Sequence, residues 1–176
     1  MVGRVGRLVA VFGLTGCAAG PAAVSPVSPA IIAAFGGRHA GVDIRAPIGT
    51  PVLAAADGTV RLVAERPRAG RMIVVAHADD VATVYLHLSE ILVTPNQAVR
   101  RGEVLGRSGI SGNATTPHLH FGVCRRPGGQ CGTRAGAGWD NPARYWVDGN
   151  SCYQPGRAYP PAPIRLTYPI PCPSSA

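Results

Sequence analysis

From Val42 to Val123 the chain runs in short apolar stretches, separated by segments that hold Gly, Asp or Pro. No stretch after residue 20 carries a helical repeat of useful length. That pattern excludes a helical bundle and predicts short strands joined by tight turns. The predicted strands are Val42–Ile44, Val52–Ala55, Gly58–Ala64, Met72–Ala76, Ala82–Leu88, Ala98–Leu105 and His118–Val123. Asp57-Gly58 is a hairpin signal, and Asp79-Asp80 reads as a second turn. Strands this short and regular predict an all-β fold, an antiparallel sandwich or barrel. A length of 176 residues fits one such domain plus tails, and 23 Gly and 17 Pro suit a turn-rich chain.

The two ends differ from this middle. Arg4 and Arg7 precede an apolar run, Leu8 to Leu14, and small residues follow up to Cys17. The order is that of an export signal, with a run too short for a stable membrane span. Leu14-Thr15-Gly16-Cys17 also resembles a bacterial lipobox, which makes Cys17 the lipidated first residue of the mature chain. Residues 1–16 are then the signal peptide, and 17–30, small and Pro-rich, a tether. The folded core is expected over 31–123, with an irregular extension over 124–176 that is Gly-rich at first and then Pro-rich, with both Trp.

Cys124, Cys131, Cys152 and Cys172 form an even set in that extension, which suits an oxidising compartment. Pairing of sequence neighbours, Cys124–Cys131 and Cys152–Cys172, is the expectation. A four-thiolate zinc site is the rival, and no Cys-x-x-Cys spacing favours it. The formal charge is +8, carried by Arg without any Lys. It suits an anionic partner such as cell wall or a membrane surface. The Arg residues form no stripe interleaved with aromatics, so no nucleic-acid partner is predicted.

The five histidines are few and clustered in motifs. His118 and His120 form a His-x-His pair in a predicted strand, so they share one face while Leu119 and Phe121 point to the other. Either both bind a metal, or one binds while the other sits beside the bound water. His39 stands four residues before Asp43, in a Gly-rich loop that enters the strand Val42–Ile44. His87 shares a face with Tyr85 by strand alternation, and His77, next to a turn, is left as structural or surface. Three ligands and an open position is the layout of a hydrolytic zinc site.

Three segments together resemble the lysostaphin/LytM-type zinc endopeptidases that cut peptidoglycan peptides. They are Phe35-Gly36-Gly37-Arg38-His39-Ala40-Gly41-Val42-Asp43 with its continuation to Val60, Tyr85-Leu86-His87-Leu88, and Gly109-Ile110-Ser111-Gly112-Asn113 leading into Pro117-His118-Leu119-His120-Phe121. The resemblance spans roughly residues 31–123. It implies the duplicated hybrid fold, one zinc ion on His39, Asp43 and His120, and His87 and His118 flanking the metal-bound water as general acid and base. The implied substrate is a peptidoglycan peptide crosslink; together with the lipobox this gives a lipid-anchored enzyme at the cell envelope, expected as a monomer. Similar domains that have lost ligands act as activators, so a non-catalytic regulator or wall-binding module, with an envelope protein as partner, is the alternative. The segment between Phe35 and His39 is short, which implies a reduced groove wall.

Overall fold

A computed structural model describes residues 29–127, 131, 138–148 and 151–172. The predicted signal peptide, Cys17 and most of the tether lie outside the described residues. The strands are β1 (Ile31–Ala33), β2 (Val42–Arg45), β3 (Pro51–Leu53), β4 (Gly58–Arg66), β5 (Gly70–Ala76), β6 (Val81–Leu88), β7 (Glu90–Ile91), β8 (Ala98–Val99), β9 (Val104–Arg107), β10 (His118–Arg125) and β11 (Trp139–Asp140). The larger sheet runs β1-β2-β10-β6-β5-β4-β8, with β11 also against β10. The smaller runs β3-β9-β7, and every pairing between these strands is antiparallel. The predicted all-β antiparallel class is the observed one.

The main core lies on one face of the large sheet. Leu119, Phe121 and Val123 of β10 meet Val42 and Ile44 of β2, Tyr85 of β6 and Val75 of β5 there, and the small sheet adds Val52 and Leu105. Each such side chain contributes roughly 1.5–3 kcal/mol by leaving water. The opposite face carries a second, smaller apolar patch of Met72, Val74, Ala82, Val84 and Cys124.

Two predicted elements are corrected. Asp57-Gly58 does not close a hairpin. β3 pairs with β9 in one sheet and β4 with β5 and β8 in the other, so residues 54–57 cross between sheets. Gly58 is needed for closeness, because a Cβ there would meet Ala76 O and His77 Nδ1 at 2.3 and 2.7 Å. The run Ala98–Leu105 is likewise two strands in different sheets. The chain reverses between them, with Glu103 N donating to Arg100 O at 2.9 Å and Gly102 at φ 79°. The Asp79-Asp80 turn is present, with both residues left-handed, at φ 58° and 55°.

His77 anchors the crossing. Its Nδ1 donates to Asp57 O at 2.7 Å, and its Nε2 lies 2.8 Å from Thr83 Oγ1. Thr83 Oγ1 is 2.9 Å from Tyr85 Oη, which accepts from Ala55 N at 3.1 Å. Burial pushes the His77 pKa from 6.5 down to about 4; the bond to Asp57 opposes this and the charge of Arg101 adds to it. In the window between those two values the unfolded chain binds a proton that the folded protein does not. Stability therefore falls as pH drops through that window, by about 2 kcal/mol after discounting for the ring edge that meets solvent. Urea midpoints at both ends of the window should show this slope in the wild type and a flatter one in His77→Asn.

The extension is part of the main core. Ile164, Leu166 and Ile170 are buried in it, and Trp146 stacks on Phe121 with ring centroids 5.6 Å apart. Thr167 N donates to Ala55 O at 2.9 Å and Leu53 N to Pro169 O at 2.7 Å. Arg101 of the core donates to Arg165 O at 2.7 Å and sits 4.3 Å over the Tyr159 ring. The cysteines pair as neighbours, Cys124–Cys131 and Cys152–Cys172.

Candidate metal centre

Three adjacent strands set the site. β10 lies between β2 and β6, with His120 in register with Asp43 on one side and Leu86 on the other. Asp43 alternates out of the core between Val42 and Ile44, onto the face that carries His118 and His120. His39 arrives from the turn before β2, whose backbone closes by Gly36 N to His39 O and His39 N to Gly36 O at 3.1 and 2.9 Å.

Three atoms converge there. His39 Nε2 lies 3.0 Å from Asp43 Oδ1 and 3.1 Å from His120 Nδ1, and His120 Nδ1 lies 2.9 Å from Asp43 Oδ1. His39 Nδ1 donates to Ala34 O at 2.8 Å, which leaves a lone pair on Nε2 of the neutral ring. At most one proton, on His120 Nδ1, then lies among three electron-donating atoms, whereas a cation at their centre satisfies all three. A tetrahedral zinc ion with bonds of about 2.0–2.1 Å would space them about 3.3 Å apart. The observed triangle is that arrangement slightly contracted, so the residues fit a metal ion; these three form a cluster able to hold one.

Electrostatics agree with a ligand role for Asp43. Burial alone would raise its pKa, but the hydrogen bond with His120 and the positive potential of His120, His39 and His118 hold it below the usual carboxylate range. The group therefore stays ionised through mildly acidic conditions.

The other two imidazoles flank this triangle. His118 Nε2 is 3.7 Å from Asp43 Oδ1, and its Nδ1 donates to Thr116 O at 2.7 Å. The rings of His87 and His118 are 4.9 Å apart, and those of His87 and His120 6.1 Å. His87 Nδ1 donates to Ser111 O at 2.8 Å. In both flanking rings a backbone carbonyl takes the Nδ1 proton, which leaves the lone pair of the neutral ring on Nε2. Burial lowers the His87 pKa, the bond to Ser111 opposes this, and His118 and His120 push it lower still.

His87 reaches this face only through a bulge. Alternation puts it with Tyr85, but Tyr85 is fully buried in the core against Phe121. Arg71 and Ile73 of β5 pair with Leu88 and Tyr85 of β6, so β6 carries one extra residue. His87 sits in that insertion at φ 65°, and its N–H donates to Ala69 O at 3.0 Å. A bulge re-aims a side chain that strict alternation would bury. The structure thus brings His39, Asp43, His87, His118 and His120 together and leaves His77 at the sheet crossing. The carbonyls of Ala34, Thr116 and Ser111 escaped sequence reasoning because main-chain acceptors carry no residue signature.

An antiparallel β-sandwich with an acidic and histidine cluster at one end of its central strand defines a metallopeptidase-like class of domain. The sequence profile of peptidase family M23 matches residues 37–131, more than half the chain, and the chain belongs to that family. The chain is 47% identical over 83 residues to peptidoglycan DD-endopeptidase ShyA of Vibrio cholerae, which covers 47% of this chain and 19% of that protein. A zinc-containing peptidase from Vibrio cholerae superposes with a TM-score of 0.53 at 37% identity, over 56% of this chain and 35% of that one. The catalytic domain of lysostaphin from Staphylococcus simulans superposes with a TM-score of 0.56 at 29% identity, over 68% of this chain and 87% of that domain. The chain spans about a fifth of the length of the curated relatives it matches.

Proposed function

We propose that the chain is an exported zinc endopeptidase that hydrolyses amide bonds in peptidoglycan peptide crosslinks. The observation that carries this is the convergence of His39 Nε2, Asp43 Oδ1 and His120 Nδ1 within 3.1 Å of one another, beside two further imidazoles whose Nδ1 atoms are held by backbone carbonyls. Zinc held by these three atoms would supply a Lewis acid and a water acidic enough to ionise near neutral pH. The protein's own groups do the rest. One Nε2, of His87 or His118, accepts the proton of the attacking water. The other, protonated, donates to the carbonyl oxygen of the scissile amide as charge develops there. The Thr116 and Ser111 carbonyls hold Nδ1–H on both rings, so Nε2 of the base carries a lone pair, while the donating ring carries a second proton on Nε2. The proton taken from the water passes to the leaving nitrogen as the C–N bond breaks.

The wider reading assigns 1–16 as a signal peptide, Cys17 as the lipidated residue, 17–30 as a tether, 31–123 as the peptidase core and 124–176 as a disulfide-tied extension. The disulfides suit that exported location. The names of the peptidoglycan-cutting relatives support the substrate class.

The test joins metal analysis to wall digestion. The wild type is expected to hold one zinc per chain and to release crosslink fragments from purified peptidoglycan, identified by mass spectrometry. His87→Ala should keep its zinc and slow about 10²–10⁴-fold. A wild type that holds zinc and cleaves nothing would place the chain with the non-catalytic regulators.

A further inference from the structure

A cavity of about 480 Å³ lies where the extension meets the core, at the far end of the large sheet from the metal centre. β5 measures the separation. Its first residue, Gly70, packs against Ser111, whose carbonyl holds His87. Its last, Ala76, precedes His77, which bonds Asp57 at the edge of the cavity. Six steps along β5 put the two places about 20 Å apart. One side of the cavity is the turn between β8 and β9, with Arg100 and Arg101. The other is the extension after the Cys152–Cys172 disulfide, with Tyr153, Arg157 and Tyr159.

The two sides interlock. Tyr153 lies on Gly102, where a Cβ would come within 2.3 Å of the ring. Tyr159 Oη accepts from Gln154 N at 2.9 Å. The Arg101 guanidinium sits 4.3 Å from the centroid of the Tyr159 ring, and that of Arg157 sits 5.3 Å from it. An aromatic face attracts a cation at that range, and here one ring gathers two. Arg100 is exposed beside them and forms no ion pair with a described residue.

Packing does not account for this gathering of charge. Between buried Cys152 and Ile164 the extension is mostly exposed and adds no residue to the main core. Asp57 is the one acid among the described residues that line the cavity, and its Oδ1 already accepts from Arg101 N at 2.7 Å. Three guanidinium groups against one carboxylate leave a net charge of +2 in a concave site. Like charges held this close repel, and a bound anion relieves that cost. The planar fork of arginine matches a carboxylate through two parallel hydrogen bonds. Peptides of a cell wall end in carboxylates, so the proposed substrate material itself supplies the anion. A peptide seated at the metal centre would need about six extended residues to reach this far. An uncut peptide of the same mesh reaches it directly. We infer that this cavity is a second site for the cell wall, which takes the free carboxylate end of a peptidoglycan peptide other than the one being cut. The inference rests on the endopeptidase reading and goes beyond it: holding a neighbouring peptide raises the effective concentration of crosslinks at the metal centre.

Binding to purified peptidoglycan is measured by sedimentation with the zinc-loaded full chain, on a His118→Ala background so that little of it is cut. Arg100→Gln with Arg157→Gln should weaken binding about 10-fold. Amidating the carboxylates of the peptidoglycan should weaken binding of the His118→Ala chain as much. Stripping phosphate-bearing polymers from it with acid should change nothing. Arg61→Gln with Arg66→Gln, which removes the same charge from exposed positions of β4, should bind as before. With His118 restored, the Arg100/Arg157 variant should keep its kcat/KM on a short soluble crosslinked peptide, while its digestion of whole peptidoglycan slows about 10-fold. Three results overturn the inference: unchanged binding in the Arg100/Arg157 variant, an equal loss in the Arg61/Arg66 variant, or binding that survives amidation and falls only when the phosphate polymers are removed. If the zinc-loaded wild type cleaves neither substrate, the endopeptidase reading fails instead, and the sedimentation results decide the second site alone.

Discussion

His120→Ala is expected to lose zinc and hydrolysis together, whereas His118→Ala keeps its zinc and loses most of its turnover. The two residues are neighbours on one face of one strand, so sequence spacing gives them equal standing. Geometry separates them. His120 Nδ1 completes the triangle with His39 Nε2 and Asp43 Oδ1 at 3.1 and 2.9 Å. His118 Nε2 stands off Asp43 at 3.7 Å. Removing His120 would leave two ligands where a catalytic zinc site uses three, and the half-buried Asp43 would lose the partner that most favours its charge. Removing His118 leaves the triangle intact and deletes one proton carrier, a loss of about 10²–10⁴ in kcat. Zinc stoichiometry by atomic emission and kcat on a crosslinked peptide separate the outcomes. Full activity in His118→Ala would sink its role, and retained zinc in His120→Ala would sink the ligand set.

Leu166→Ala should destabilise the whole domain by about 2–5 kcal/mol, although Leu166 lies far outside the family-matching residues. Leu166 is fully buried among core residues that include Phe121 and Tyr85. Its backbone is tied on both sides, with Leu166 N donating to Tyr145 O at 2.6 Å and Leu166 O accepting from Val147 N at 3.0 Å. The cavity left by the truncation cannot collapse freely. A chain ending at residue 131 would lose Ile164, Leu166, Ile170 and the Trp146 stack at once, so it should unfold rather than act as a minimal domain. Urea denaturation of Leu166→Ala, and soluble yield of the truncated chain, measure both effects. A shift under about 0.5 kcal/mol would mean the extension only drapes over the surface.

Much of this was legible in the chain, for local physical reasons. Alternation correctly sends Leu119 and Phe121 into the main core and the His-x-His pair to the opposite face of the sheet. Asp79-Asp80 makes the turn its residue types favour. What failed did so where a local rule met a non-local partner. Asp57-Gly58 looks like a hairpin, yet the chain crosses between sheets there because β3 finds its partner in β9. His87 breaks the period of two because one inserted residue in β6 turns it over. A bulge is set by pairing with β5, and nothing in Tyr85-Leu86-His87-Leu88 announces it. Trp139 was legible only as one aromatic in a loop-rich tail. Its position over Gly122 follows from the pairing of β11 with β10, a non-local contact that composition does not encode.

The triangle of ligand atoms has a mechanical side as well. His39 and His120 stand 81 positions apart in the chain, and Asp43 and His120 77 apart. An ion held between them closes a long loop and binds the folded arrangement alone. It therefore adds stability that grows with the logarithm of free metal, roughly 2.7 kcal/mol at one hundred times the dissociation constant. A metal held at this centre would therefore also be a clasp between the first part of the domain and its central strand, and chelation should loosen both at once.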